Sequence, residues 1–409
     1  MSKKQQNIII LILGALAALG PFAIDMYLPG FPAIATDLRT EISQVALSLT
    51  SYFIGISVGQ LIYGPLIDRF GRKKPLIIGL IIFIVASLGC GLAPSVEWLI
   101  GLRLLLALGG CVGMVAGRAI VRDVFPISEI PRVFSMLMLV MGVAPIIAPT
   151  VGGFVTASFG WRYIFVVLSA IGLAVLLIVI FLLPESKGAD KAVSLKPKRV
   201  LGDFISVLKN PVFLTYAFAA STAQAGIFAY ITGSPFVFME IFNLSETHYG
   251  WAFGLNAFGF IAGSQVNNLA MKRRTSEQIT LQAGIVQFTA GMLLLLGSYF
   301  GFLGATGSLV LIFCYLFSLG FISPNASALA LAPFARNAGS ASALMGSAQM
   351  AMGAVASALV STLHNGTAMP MAAVMAGATV VSLSLLLGFR SYARRTISVS
   401  GLEEEKVAR

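Results

Sequence analysis

Long apolar blocks separated by short polar breaks fill the chain from residue 7 to residue 390. Cut at the breaks, they lie near 7–34, 44–66, 76–94, 98–118, 133–157, 162–183, 211–236, 248–270, 278–300, 307–331, 341–363 and 370–390. An α-helix needs about 20 apolar residues to cross a bilayer, and many of these blocks reach that length. They are too long and too numerous for the buried helices of a soluble core. The pattern therefore predicts an all-α polytopic membrane protein with twelve transmembrane helices.

The longest polar break, "PESKGADKAVSLKPKRVLGDFISVLKN" from Pro184 to Asn210, parts six spans from six. Lys-rich and broken by Gly and Pro, it reads as a linker with a short surface helix at its end. The expected organisation is an N-terminal six-helix bundle (1–183), a cytoplasmic linker (184–210), a C-terminal six-helix bundle (211–390) and a cytoplasmic tail (391–409). An offset of 199 residues lays "GPLIDRFGRKKP" (Gly64 to Pro75) over "GSQVNNLAMKRR" (Gly263 to Arg274), a faint internal repeat. The same offset carries Asp25 onto Gln224.

Composition supports the lipid reading: 57% of the residues are hydrophobic and 11% charged, with a mean hydropathy of +0.91. A net charge of +11 could point to nucleic acid, but the position of the charge decides otherwise. With the N-terminus inside, every Lys and Arg except Arg39, Arg103 and Arg162 falls on a cytoplasmic stretch. That asymmetry follows the positive-inside rule, places both termini in the cytoplasm and argues against nucleic-acid binding. Lys3 and Lys4 precede a first run too long for a signal peptide and without a clear cleavage site, so it reads as a retained span. Cys90, Cys111 and Cys314 sit inside spans and imply no disulfide framework. His248 and His364 lie near outer ends without ligand-like spacing. No metal or other cofactor is expected.

One charge stands out against this background. Of sixteen acidic residues, Asp25 alone lies well inside a span, in "ALGPFAIDMYLPG". An acid near the bilayer centre costs about 2.5–3.5 kcal/mol on insertion scales, so it should face a cavity or a partner. Arg103 is at a compatible depth, with facing directions open. Burial and a nearby cation act on a carboxyl's proton affinity in opposite senses. A change of conformation that altered access or moved Arg103 would therefore change proton occupancy. The alternative is a structural Asp that holds Arg103 or caps a helix broken near Pro21 and Pro29; such backbone is tolerated where it lines a cavity.

Two further stretches carry mechanism. In "GPLIDRFGRKKP" the charges can latch the inner surface, Gly71 allows a tight turn and Gly64 permits close helix approach. In "GVAPIIAPTVGGF" (Gly142 to Phe154), Pro145 and Pro149 bend the fifth span, and Gly152 and Gly153 let it approach a neighbour. Gly109, Gly113 and Gly117 on the fourth span offer a matching surface. Close packing alone would also explain these glycines.

The first stretch resembles the inner-loop signature of the major facilitator superfamily, at Gly64, Asp68, Arg69, Gly71, Arg72 and Lys73. The second is similar to the antiporter motif of its drug exporters, with Ala148 in place of the first glycine. Arg103 fits the superfamily's membrane-embedded arginine, although Leu106 stands where Gln is common. Segments "AIDMYLPGFPAI", "GWRYIF", "ITGSPFVF", "YGWAFGLNAFG" and "SPNASALAL" resemble the bicyclomycin-resistance and chloramphenicol-type exporters, from about residue 5 to residue 392. The resemblance implies two six-helix bundles related by a pseudo-two-fold axis, with a substrate site between them near the midplane. It further implies that Asp68 meets the N-terminus of the eleventh helix at Gly339–Ser340, and that the loop arginine meets Asp123.

The expected function is proton-coupled export of small amphipathic drugs across a bacterial inner membrane, with Asp25 and Arg103 in proton coupling. Expected pocket residues are Met26, Tyr27, Gln224, Phe228, Tyr230, Phe236, Asn256, Asn325, Met345 and Gln349, because Met and aromatic side chains adapt to varied ligands. Protons serve as the coupling ion, the partners are a drug and the bilayer, and a monomer is expected. A proton-coupled or facilitated importer shares the fold. A receptor or scaffold is disfavoured by short loops, and an enzyme by the lack of a catalytic constellation.

Overall fold

The structure, a computed structural model, describes residues 3–126, 129–190, 197–334 and 338–407. Part of the expected linker, 191–196, and the end of the tail lie outside the described residues. Fourteen α-helices follow one another, and no strand occurs among the described residues. The first span is α1 (Lys3–Asp25), a 3₁₀ turn (Leu28–Gly30) and α2 (Phe31–Asp37). Then come α3 (Ile42–Phe70), α4 (Lys73–Gly91), α5 (Val96–Val124), α6 (Ile130–Phe159) and α7 (Arg162–Leu182). After the short α8 (Pro197–Leu208), the second set is α9 (Pro211–Pro235) with a π-helical end (Phe236–Ile241), α10 (Glu246–Ala270), α11 (Ser276–Tyr299), α12 (Ala305–Leu331), α13 (Ala338–Thr362) and α14 (Met369–Val407).

Eleven of these helices are long and apolar enough to cross a membrane. Among the twelve expected spans the exception is α10, whose 25 residues include Asn256, Gln265, Asn267 and Asn268. Two of these, Asn256 and Asn267, are buried, Gln265 and Asn268 are exposed, and α10 packs between α6 and α12. With it, the spans number twelve.

Breaks in the helices follow proline. Pro29 has no N–H to offer the carbonyl of Asp25, and it disfavours a helical Leu28, so α1 stops at Asp25. Pro235 likewise precedes the π-helical stretch. The outer end of the first span is tied to α7: Asp37 accepts from Arg162 and, at 3.1 Å, from the Trp161 indole N–H.

The outer ends of the first spans relate the two sets differently from the sequence offset. Counted back from Asp37 and Ile241, the position matching Asp25 is Ala229, five residues after Gln224. The 199-residue offset holds only near the α3–α4 and α10–α11 loops, because the break in the first span and the loops differ in length between the halves. Gln224 is therefore not the counterpart of Asp25.

Each set packs mainly on itself, and the sets meet along two seams. In one, α3 faces α13: Thr50 and Ser357 hydroxyls bond at 2.8 Å, Ser57 and Ser347 at 3.0 Å, and Gln60 sits against Gly346. In the other, α6 faces α10, with Gly142 opposite Ile261, Pro149–Thr150 opposite Gly250, and Gly153 opposite Glu246. Above the first seam a cavity of about 560 Å³ opens outward between Thr36, Glu41, Phe236, Glu240 and His364.

Candidate functional site

Asp25 is the last residue of α1 and only 4% exposed. Among the described residues its carboxylate makes no hydrogen bond and no ion pair. Arg103, fully buried on α5, does not pair with it. The guanidinium donates at 2.7 Å to the carbonyl of Ala23 and stacks 4.6 Å from the Tyr27 ring and 4.4 Å from the Tyr52 ring. Its Nε and one Nη have no acceptor. Arg103 therefore braces the last turn of α1 from behind, and the pairing that depth alone allowed is absent. Asp25 instead stands within electrostatic range of the phenols of Tyr52, Tyr230 and Tyr249, the last two from the second half.

Those phenols are held by neighbours. The Tyr230 hydroxyl accepts from Asn256 Nδ2 at 3.1 Å, and its ring stacks on Phe253 with centroids 5.3 Å apart. Tyr249 bonds Ser234 at 2.9 Å, and Tyr27 bonds Ser48 at 3.0 Å. The Oδ1 of Asn256 is buried with no donor. The result is one carboxyl at a helix break, with phenols of both halves within electrostatic range.

The Gly152–Gly153 pair of α6 lies directly against this break. A Cβ on Gly152 would fall 3.0 Å from the Met26 Cα and closer still to its carbonyl, so only glycine lets α6 reach the residue after Asp25. Gly153, one residue on, faces the Glu246 carbonyl of α10. Neighbouring glycines of one motif thus touch the acid's helix on one side and the other half on the other. The fourth-span glycines do not meet α6. Gly109 packs on Gly79 and Phe83 of α4, and Gly113 and Gly117 on Leu16 and Leu13 of α1, because α1 lies between α5 and α6.

At the inner surface, Arg72 is 5% exposed and holds three groups. Its Nε donates to Asp123 at 2.8 Å, one Nη to Asp68 at 2.5 Å, and the same Nη to the Ile67 carbonyl at 3.0 Å. Gly71 turns the chain at φ +85°, as expected. Gly64 makes no close approach; a Cβ there would meet nothing within 4 Å. Asp68 bonds Arg72, and among the described residues no bond joins it to Gly339 or Ser340; residues 335–337, just before that point, lie outside the described set. Arg69 is partly exposed and is not without a partner.

Glu185 was not foreseen. Its carboxylate accepts from the backbone N–H of Arg72 at 2.7 Å and of Lys73 at 3.2 Å, capping α4 from beyond the end of α7. Nothing local signals a cap supplied from so far along the chain. Removing Arg72 should free two carboxylates at once. We expect Arg72→Gln to cost about 1–3 kcal/mol, below a fully buried pair because Asp68 is half exposed. Asp68→Asn should cost under about 1 kcal/mol. Thermal unfolding in detergent would compare them, and equal losses would show that Arg72 is not the common tie.

The expected pocket residues do not gather in one place. Met26, Tyr27, Tyr230 and Asn256 surround the break, and Phe228 packs edge-on against Phe53 at 4.6 Å. Phe236 lines the outer cavity with its ring against His364. Asn325 donates to Asn267 at 2.7 Å between α12 and α10. Met345 joins an inner cluster with Val207, Phe213 and Tyr216. Gln224 and Gln349 are half-buried.

Twelve spanning helices in two packed sets, closing on a buried acid at a helix break, define a polytopic membrane transporter. The chain matches the Major Facilitator Superfamily over residues 13–357 and belongs to it, as a transporter of the bicyclomycin-resistance and chloramphenicol-exporter type. It is 36% identical over 388 residues to an uncharacterized MFS-type transporter, YdgK, of Bacillus subtilis (94% of this chain, 96% of the relative). It is 33% identical over 381 residues to a bicyclomycin resistance protein homolog of Haemophilus influenzae (93% and 96%). Among solved structures it resembles a bacterial homolog of the human lysosomal transporter Spinster, inward-facing and unoccupied, at a TM-score of 0.72 and 16% identity (97% and 98% covered).

Proposed function

We propose that the protein exports small amphipathic drugs from the bacterial cytoplasm across the inner membrane in exchange for protons, by alternating access. The observation that carries this reading is Asp25: buried, unpaired, at the break in the first span, and pressed upon by the antiporter motif. A carboxyl without a fixed partner can take up or release a proton without breaking a salt bridge. The resemblance to a bicyclomycin resistance protein homolog supports drugs as the cargo. In this reading residues 1–183 and 211–390 are the two moving bodies, a single copy in the bilayer suffices, both termini face the cytoplasm, and the proton is the coupling ion with no further cofactor.

With one titrating acid, one proton enters per drug molecule expelled. Export of a neutral drug then moves one charge inward, and export of a monocation moves none. One charge falling through 100 mV releases about 2.3 kcal/mol, enough for roughly a fortyfold gradient of a neutral drug. In proteoliposomes, an imposed voltage should drive chloramphenicol outward to that order, while a monocation such as ethidium should respond to a pH gradient alone. Uptake in the direction of proton entry would make the protein an importer. Voltage-independent movement of the neutral drug would overturn one-proton exchange.

A further inference from the structure

The inner third of α5 carries a cation that the mechanism above does not use. By sequence Arg118 belongs to the cytoplasmic edge of the fourth span. The structure continues α5 to Val124 and so encloses it. At 1.5 Å per residue, Arg118 lies about 9 Å before the inner end of the helix and about 22 Å below Arg103.

Its direction follows from its neighbours' contacts. Gly113 and Gly117 face α1, while Ala107 and Cys111 face Gly55 and Gly59 of α3. Taken at about 100° per residue, Arg118 falls within the α3-facing strip, midway between Ala107 and Cys111, about 40° from Met114 and about 60° round from Arg103. Trp98 and Leu105, exposed to the lipid side, are roughly 150° away. Met114, Val115, Arg118 and Ala119 are half-buried, whereas Val112, Gly113, Ala116 and Gly117 are buried. Arg118 is thus turned toward α3 and away from the lipid side.

Nothing there answers the charge. Among the described residues Arg118 has no hydrogen bond and no ion pair. The titratable groups that act on it are Cys111 and Arg122, neither of them an acid. Asp123, the acid of the same helix end, is committed to Arg72 and, at 3.1 Å, to Ser186. The α3 stripe of Gly55 and Gly59 continues four residues on to Tyr63, 9% exposed, whose hydroxyl has no partner among the described residues. Helix α3 runs parallel to α5, which puts Tyr63 level with the turn toward which a helical Arg118 side chain leans.

We propose that Arg118 and Tyr63 form an anion site between the inner ends of α5 and α3, which takes the carboxylate of an amphipathic substrate arriving from the cytoplasm. A guanidinium and a phenol supply charge-assisted and neutral donors that a carboxylate accepts together. The inference deepens the transport reading and rests on it for the word substrate, but binding can be read without transport.

The test is equilibrium binding of dansylglycine and of its neutral amide, dansylglycinamide, to the purified full-length protein, followed by dansyl fluorescence. Wild type should hold the acid about tenfold more tightly than the amide. Arg118→Gln should erase that ratio by weakening the acid alone, Tyr63→Phe should reduce it about threefold, and Arg118→Lys should keep part of it. Equal wild-type affinities, no binding of either probe, or parallel losses of acid and amide in Arg118→Gln would each overturn the site. If Arg118→Gln does not fold, Tyr63→Phe and Arg118→Lys read the same ratio. An intact ratio in a protein that builds no drug gradient in proteoliposomes would instead count against the transport reading and leave the anion site standing.

Discussion

Purified Asp25→Asn protein is expected to fold and bind drug but to release no proton when drug is added, and to build no drug gradient. The amide has the size of the carboxyl and cannot titrate, so any packing role of Asp25 survives while coupling is lost. The gradient should fall from roughly fortyfold at 100 mV to none. Asp37→Asn is the control: it removes the Arg162 contact at the outer surface and should leave proton release intact. Wild-type proton release from Asp25→Asn would rule out Asp25 as the carrier.

Gly152→Val should be nearly as damaging, for a steric reason. Its Cβ would collide with the backbone of Met26, which unlike a side-chain tip has no rotamer to yield. Overpacking of this kind costs about 3 kcal/mol, the upper end of the usual range. Displacing α6 would also disturb the break beside Asp25. Gly142→Ala meets the Cγ1 and Cδ1 atoms of Ile261, a side chain that can shift where backbone cannot, and should cost about 1 kcal/mol. Thermal unfolding together with export would separate the two. Equal tolerance of both substitutions would show that α6 has room to retreat.

Much of this architecture is written locally, and what was misread is relational. Hydropathy marks the spans, because lipid demands continuous apolar helix. It underrates α10, where Asn256 and Asn267 face other helices. Pro29 signals the break after Asp25, since a missing N–H is a property of one residue. Which way Arg103 points is not local: its depth suits Asp25, yet its side chain ends between Tyr27 and Tyr52. The fourth-span glycines were legible as a close-packing stripe and assigned the wrong neighbour, because sequence order says nothing of α1 passing between α5 and α6. Glu185 caps α4 by a contact that only the tertiary fold creates.

The α3–α13 seam is closed by uncharged hydroxyls. Thr50, Ser357 and Thr232 form one chain, with Thr232 donating to Ser357 at 2.9 Å, and Ser57 and Ser347 bond nearer the inside. Each such bond is worth about 1 kcal/mol net, because water replaces the partner once the surfaces part. A membrane field does work on net charge, and these hydroxyls carry none. Parting them should therefore be as easy in a resting cell as in a de-energised one, and nearly indifferent to ionic strength. Energisation would then bias the direction of the cycle through its proton, while the seam sets a rocking rate common to both.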